Sequence, residues 1–260
     1  MKYIDQMGHV LVLNETPKRI VSLVPSQTEF LCDLGLQDQI VGCTKFCIHP
    51  ASIKKTAKII GGTKTLNLSI IESLKPDIII GNKEENEQSQ ILELSKKYPV
   101  WMSDISNLNE AMEMMSKLAA IFQKENEAEK ITSIISTQFA GIQALEKSKK
   151  VLYLIWKDPY MIAGKQTFID DLLQHIGLEN ASEKLPNPNR YPAILESQII
   201  AIQPDHLFLS SEPYPFKEKH LAHFQEILPK TKVQVVDGEL FSWYGSRLLK
   251  SSAYFNQLLS

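Results

Sequence analysis

Residues 69–81 read SIIESLKPDIIIG, and residues 197–209 read SQIIAIQPDHLFL. The Pro-Asp pair stands at the same offset in both, as Pro76-Asp77 and Pro204-Asp205. Each copy reads as a short amphipathic helix, a Pro-Asp turn and a buried strand. A second pair repeats in the same order. TEFLCDLGL at 28–36 resembles TFIDDLLQHIGL at 167–178, which is longer by about one helical turn. Two similar units in one chain predict two similar α/β lobes. Two lobes make a cleft, and clefts are where small ligands bind.

At 260 residues the chain has room for two lobes of ordinary domain size. Hydrophobic residues make up 43% and charged residues 22%, a globular rather than a disordered balance. A net charge of −2 gives no electrostatic case for nucleic acid or an anionic membrane. No apolar run approaches the roughly 18 residues of a membrane span. The opening MKYIDQMGHVLVLNETPK carries no apolar run of signal-peptide type. The chain as it stands therefore reads as cytoplasmic, or as a trimmed form of a periplasmic or cell-envelope protein. The three cysteines, Cys32, Cys43 and Cys47, do not make a disulfide framework.

Strands alternate with helices along both halves, which predicts a mainly parallel sheet in each. Residues 1–18 read as a small hairpin turning at Gly8. Residues 19–25 read as a buried strand ending at Pro25, with Ser26 or Thr28 capping the helix that follows. Gly35 stops that helix. Residues 1–105 form the predicted first lobe. Residues 106–149 are helical, and Ala128, Ile131, Ile135, Phe139 and Ile142 mark one continuous helix over about 125–147, the expected connector. Residues 150–260 form the second lobe, so the expected architecture is two Rossmann-like lobes joined by a single long helix.

Aromatic residues gather at strand ends and in loops: Phe46 in the first half, then Trp156, Tyr160, Tyr191, Tyr214 and Phe216. The densest stretch is ELFSWYGSR at 239–247, with Phe241, Trp243 and Tyr244. Strand C-terminal ends in open α/β sheets face the ligand crevice. Aromatics there offer flat faces to a large, partly apolar ligand, and Arg247 a charged donor. Cys43-x3-Cys47-x-His49 has soft ligands close together but lacks a fourth and the usual zinc spacing. His220 and His223 share a helix face that reads as solvated surface. No Walker loop, Rossmann glycine triplet, Gly-x-Ser-x-Gly elbow or His-Glu-x-x-His occurs, so no catalytic residue and no resident metal are assigned.

RIVSLVPSQTEFLCDLGL, IVGCTKFCIHP, LKPDIIIG and FSWYGSRL resemble the cobalamin and ferric-siderophore receptors of ABC importers, nearest the cobalamin branch. The resemblance runs over nearly the whole chain. It implies a class III periplasmic-binding-protein fold, with a corrinoid or ferric siderophore held between the lobes and no covalent cofactor. By matching motifs, the ligand contacts it implies are Pro25, Phe46, Tyr191, Trp243 and Arg247. Thr63 stands where the cobalamin receptor has a tryptophan. The implied partner is an ABC permease, docked in the family through one glutamate on each lobe. Those positions carry Ser69 and Ser197 here, with Glu72 and Glu196 near but out of register. A monomeric, non-enzymatic binding protein is the expected function. A cytosolic relative acting as an enzyme or sensor on such a chelate is the alternative.

Overall fold

The computed structural model describes residues 1–145, 148–185 and 189–259. They divide into two compact units. The first begins with an antiparallel hairpin, β1 (Lys2–Ile4) and β2 (Val10–Val12), closed by Gly8 at φ +84°. The chain then builds β3 (Ile20–Ser22), α1 (Pro25–Asp33), β4 (Ile40–Cys43), α2 (Ile53–Thr56) and β5 (Lys58–Ile59). The Pro-Asp block supplies α3 (Leu68–Leu74) and β6 (Ile78–Asn82), followed by α4 (Gln88–Ser95) and β7 (Val100–Ser103). All five sheet strands are parallel, in the order β5-β4-β3-β6-β7. The strand order reverses between β3 and β6, which makes a switch point beside the start of α1.

Two helices follow, α5 (Leu108–Ile121) and α6 (Glu125–Ala140). Asn109–Ile135 packs with the first unit, so that unit extends past the boundary near 105 read from the sequence. The helix expected over about 125–147 ends at Ala140. Gly141 is the reason: it favours helix exit, and its N–H bonds back to Thr137 and Gln138. Beyond it the chain leaves the helical path, and the Leu145 N–H donates to Ile176 O. Residues 146 and 147 of the expected helix lie outside the described residues.

The second unit holds β8 (Lys149–Trp156), β9 (Met161–Ile162), α7 (Phe168–His175) and β10 (Leu178–Asn180). The second Pro-Asp block gives α8 (Glu196–Ile202) and β11 (His206–Ser210), then α9 (Glu218–Ile227), β12 (Lys232–Val236) and α10 (Gly238–Ser242). Its parallel order is β10-β8-β11-β12, with β9 antiparallel on β8. The two Pro-Asp strands, β6 and β11, thus sit in separate sheets. α11 (Leu248–Leu259) ends the described chain, and Trp243–Leu249 returns to the first unit.

The repeats match in backbone as well as in letters. α3 and α8 each end on a left-handed residue, Lys75 at φ 46° and Gln203 at φ 47°, immediately before the proline. A residue preceding proline is disfavoured in the right-handed helical region, so each helix must stop there. The aspartate after the proline then ties the block to the first parallel strand of its own unit. Asp77 Oδ2 accepts from the Lys18 and Arg19 N–H groups at 2.9 and 3.0 Å. Asp205 Oδ2 accepts from the Lys150 N–H at 2.8 Å. Gly35 and Gly177, matched in the second repeat, both adopt φ +79°.

The expected helix cap differs. α1 opens with Pro25 at its first position, and neither Ser26 nor Thr28 caps it. Proline is preset for that place, and the N–H it lacks would have no partner within the helix in any case. Thr28 instead donates back to Val24 O at 2.8 Å.

The aspartate ties carry a direct expectation. Asp77→Ala and Asp205→Ala should each lower the unfolding free energy by about 1–2 kcal/mol, the scale of a charge-assisted hydrogen bond. Asparagine at either position keeps an acceptor and should cost less. Urea unfolding at neutral pH measures this, and alanine variants as stable as the parent would contradict it.

Candidate functional site

Of the five segments that leave the C-terminal ends of the first sheet, three shape the site: the one after β3, the one after β4 and the one after β6. The first is short, because β3 runs through Leu23 and Val24 straight into α1. Pro25 stands there half-buried. The second runs from Thr44 to Pro50 and exposes Lys45, Phe46 and Ile48. Phe46 is 49% exposed, with Lys45 Nζ 5.0 Å from its ring centroid. Gly62 lies behind both: a Cβ there would come within 3.3 Å of the Phe46 ring. Backbone hydrogen bonds brace the loop, from Lys45 N–H to Gly61 O at 2.8 Å and from Cys47 N–H to Thr44 O at 3.0 Å.

A chain of side chains supports the end of this loop from within the same unit. The ring of His49 meets the Trp243 ring edge-on at 5.5 Å. The Arg247 guanidinium sits 5.1 Å from the same Trp243 ring. Arg247 in turn grips Glu29 of α1 through both carboxylate oxygens, Nε to Oε2 at 2.8 Å and Nη2 to Oε1 at 2.7 Å. Both partners are buried. Gly245 allows this return of the chain: a Cβ there would stand 2.9 Å from Ser26 O.

The structure therefore brings four of the five sequence-derived contacts, Pro25, Phe46, Trp243 and Arg247, into the first unit, and the fifth, Tyr191, into the second. They are not alike. Phe46 offers an open face. Trp243 is only 7% exposed and packs against His49 and Arg247, while the Arg247 fork is engaged by Glu29. The dense 239–247 aromatic stretch is largely interior. Phe241 is fully buried against Tyr153, Phe208 and Phe255. Tyr191 is half-buried, and its N–H donates to Asn189 Oδ1 at 2.9 Å. In the second unit Trp156 is exposed and meets Tyr214 edge-on at 5.9 Å.

A buried amide network, absent from the sequence reading, fixes the loop after β6. Asn82 Oδ1 accepts from the N–H groups of Glu84 and Glu85 at 2.8 and 3.1 Å. Asn86 Oδ1 accepts from Asn82 N–H at 2.9 Å, and its amide donates to Thr63 O at 3.1 Å. Gln27 and Asn82 both donate to Ser103 Oγ, at 2.5 and 2.9 Å. The signal available was Asn-x-x-x-Asn beginning at the last residue of a strand, since asparagine side chains bond nearby backbone in turns.

His49 of the Cys43-x3-Cys47-x-His49 stretch faces Trp243, while both sulfurs are buried. Among the described residues no group of three His, Cys, Asp or Glu side chains could hold a metal ion. Ser69 and Ser197 are both exposed at the second positions of α3 and α8. The neighbouring glutamates are engaged: Glu72 Oε1 with Lys97 Nζ at 2.6 Å, and Glu196 Oε2 with His223 Nε2 at 2.7 Å. No helix among the described residues is long and apolar enough to cross a membrane.

Removing one partner of a buried ion pair strands the other, which costs about 3–5 kcal/mol, whereas replacing both by apolar or neutral groups is often close to neutral. Arg247→Ala should therefore destabilise the protein by that amount. The double variant Glu29→Gln with Arg247→Met should recover most of the loss. Thermal and urea unfolding of the three proteins measures this, and a double variant no better than Arg247→Ala would contradict it.

Residues 20–229 match the family described as periplasmic binding protein. An uncharacterised ABC transporter substrate-binding lipoprotein of Bacillus subtilis, YvrC, is 24% identical over 95% of this chain and 81% of its own length. A vitamin B12-binding protein of Pectobacterium carotovorum is 23% identical over 90% of this chain and 85% of its own. Among solved structures, the periplasmic heme-binding protein RhuT of Roseiflexus aligns with a TM-score of 0.78 at 19% identity, covering 94% of this chain and 99% of that one. The periplasmic vitamin B12 binding protein BtuF of Vibrio cholerae aligns with a TM-score of 0.77 at 19% identity, covering 94% and 97%. With the family match spanning most of its length, this chain belongs to the periplasmic binding protein family.

Proposed function

We propose that this chain is the receptor of an ABC importer for a partly apolar metal chelate: a corrinoid, a haem or a ferric siderophore. The observation that carries the proposal is Phe46, a large apolar ring left half-exposed on a braced loop at the C-terminal end of β4. Relatives with names of this kind, vitamin B12-binding and heme-binding, support it. An aromatic face supplies apolar area with few rotamers to freeze, and a stacked ring adds about 0.5–1.5 kcal/mol beyond the area term. The proposed contacts are Pro25, Phe46 and Tyr191. Trp243 and Arg247 take a supporting part, holding His49 and the loop that carries Phe46. The chelate is bound and released without chemical conversion, and the protein works at the cell envelope. Permease docking is assigned to the exposed first turns of α3 and α8, at Ser69 and Ser197.

The test is calorimetric titration of cobalamin, cobinamide, haem and several ferric siderophores into the parent protein and Phe46→Ala. At least one chelate should bind more tightly than about 1 mM, roughly −4 kcal/mol. The variant should bind that chelate at least tenfold more weakly, a loss of about 1.4 kcal/mol. Failure of every chelate to bind, or equal affinity in the variant, would overturn this reading.

A further inference from the structure

The second unit carries an open pocket of about 340 Å³ between the turn after β8 and the start of α9. Lys157 and Tyr160 of the turn line it, with Lys219, His220 and His223 of the helix. The chelate reading uses none of them. From the sequence both histidines read as solvated surface, yet His220 is only 8% exposed. Its ring meets those of Tyr214 and Phe216 edge-on, at 5.7 and 5.4 Å. The Lys217 N–H donates to His220 Nδ1 at 2.9 Å, so the neutral ring carries its proton on Nε2. Tyr214 Oη stands 3.5 Å from that nitrogen, too far to hold the N–H strongly. The Tyr160 ring packs on Phe224 at 5.4 Å.

We propose that this pocket binds the phosphate group of a small organic phosphate. Two ammonium groups supply charge, and the Tyr160 hydroxyl and the His220 Nε2–H supply donors. A metal cation does not suit these residues. His220 presents an N–H rather than a lone pair, and His223 Nε2 is engaged by Glu196 Oε2 at 2.7 Å. No arginine lines the pocket, so a planar carboxylate finds no forked partner, whereas lysine binds phosphate as a point charge. The volume equals that of about eleven waters at about 30 Å³ each. A phosphate group therefore leaves room for a short organic chain.

The positive charge is poorly balanced by its neighbours. Lys219 makes no ion pair among the described residues, and Lys157 Nζ pairs with Asp158 Oδ2 at 3.9 Å, a side chain 84% exposed. Glu196, the carboxylate of α8 beside the pocket, is taken by His223. Burial first, then the Lys219 and Lys157 charges, hold His220 below the usual imidazole range. Burial, with Glu196 and Asp158 nearby, raises the Tyr160 hydroxyl, which stays a donor at neutral pH. A phosphate supplies the missing negative charge. An opposite charge favours the imidazolium, so binding moves His220 upward.

The test is titration of glycerol 3-phosphate into the whole protein at constant ionic strength, followed by the imidazole NMR signals of His220 and His223. The His220 signals should shift saturably, with a dissociation constant below about 1 mM. The pH midpoint of His220 should be higher in the loaded protein than in the free one. Lys157→Gln combined with Lys219→Gln should weaken binding by about tenfold or more. Inorganic phosphate should bind more weakly than the ester, and the tricarboxylate tricarballylate more weakly still. No saturable shift, a His220 midpoint that stays or falls, equal affinity in the double variant, or either comparison anion binding as tightly would overturn the proposal. Both lysines reach solvent, so the double variant should fold. Should it fail to, the His220 midpoint and the anion order in the parent decide the matter.

Discussion

The buried pair between Glu29 and Arg247 joins parts of the chain 218 residues apart, and the candidate site is built on it. Its value is not mainly stability, because desolvating two charges offsets most of what their attraction returns. Its value is placement. The forked guanidinium accepts one geometry, with both carboxylate oxygens engaged. That geometry draws Trp243–Leu249 back to the first unit and sets the Trp243 ring where His49 packs on it. The loop between Cys43 and Pro50 is then fixed at both ends, by the strand before it and by His49 within it. Phe46 faces solvent between exposed Lys45 and buried Cys47.

The duplicated blocks show the same economy in each sheet. A proline after the helix forces an end to it, and an aspartate after the proline takes the amides that open the first parallel strand. Each block therefore specifies both a turn and a strand neighbour. The two carboxylates are exposed, so their bonds compete with water and contribute modestly. What they add is register: they hold β6 beside β3, and β11 beside β8, at the ends where the strands begin.

Much of this could be read from the letters. The Pro-Asp repeat, the paired glycines at 35 and 177 and the alternation of strand and helix announced two parallel α/β units, because each rests on local backbone rules. Phe46 was legible as an aromatic just past a strand. What escaped was long-range. Nothing near Arg247 in the sequence points to Glu29, so the buried pair is not legible there. Aromatic density cannot say which faces are covered, so the packing of Trp243 on His49 and Arg247 is not legible either. The helix after Glu125 was drawn too long because apolar spacing continues past Gly141, whereas the backbone turns there. The Asn82–Asn86 network is equally hard to read, because its other partners, Gln27, Thr63 and Ser103, lie far off in sequence.

The Glu29–Arg247 pair positions the Phe46 loop through Trp243 and His49. Hydrogen exchange in Arg247→Lys measures this most directly, since lysine keeps the charge but cannot supply the two-pronged grip. The account predicts faster exchange at the amides of Lys45 and Cys47, which are bonded to Gly61 and Thr44, with protection in β8 and β11 unchanged. Unaltered protection at Lys45 and Cys47 in a variant whose pair is broken would contradict it.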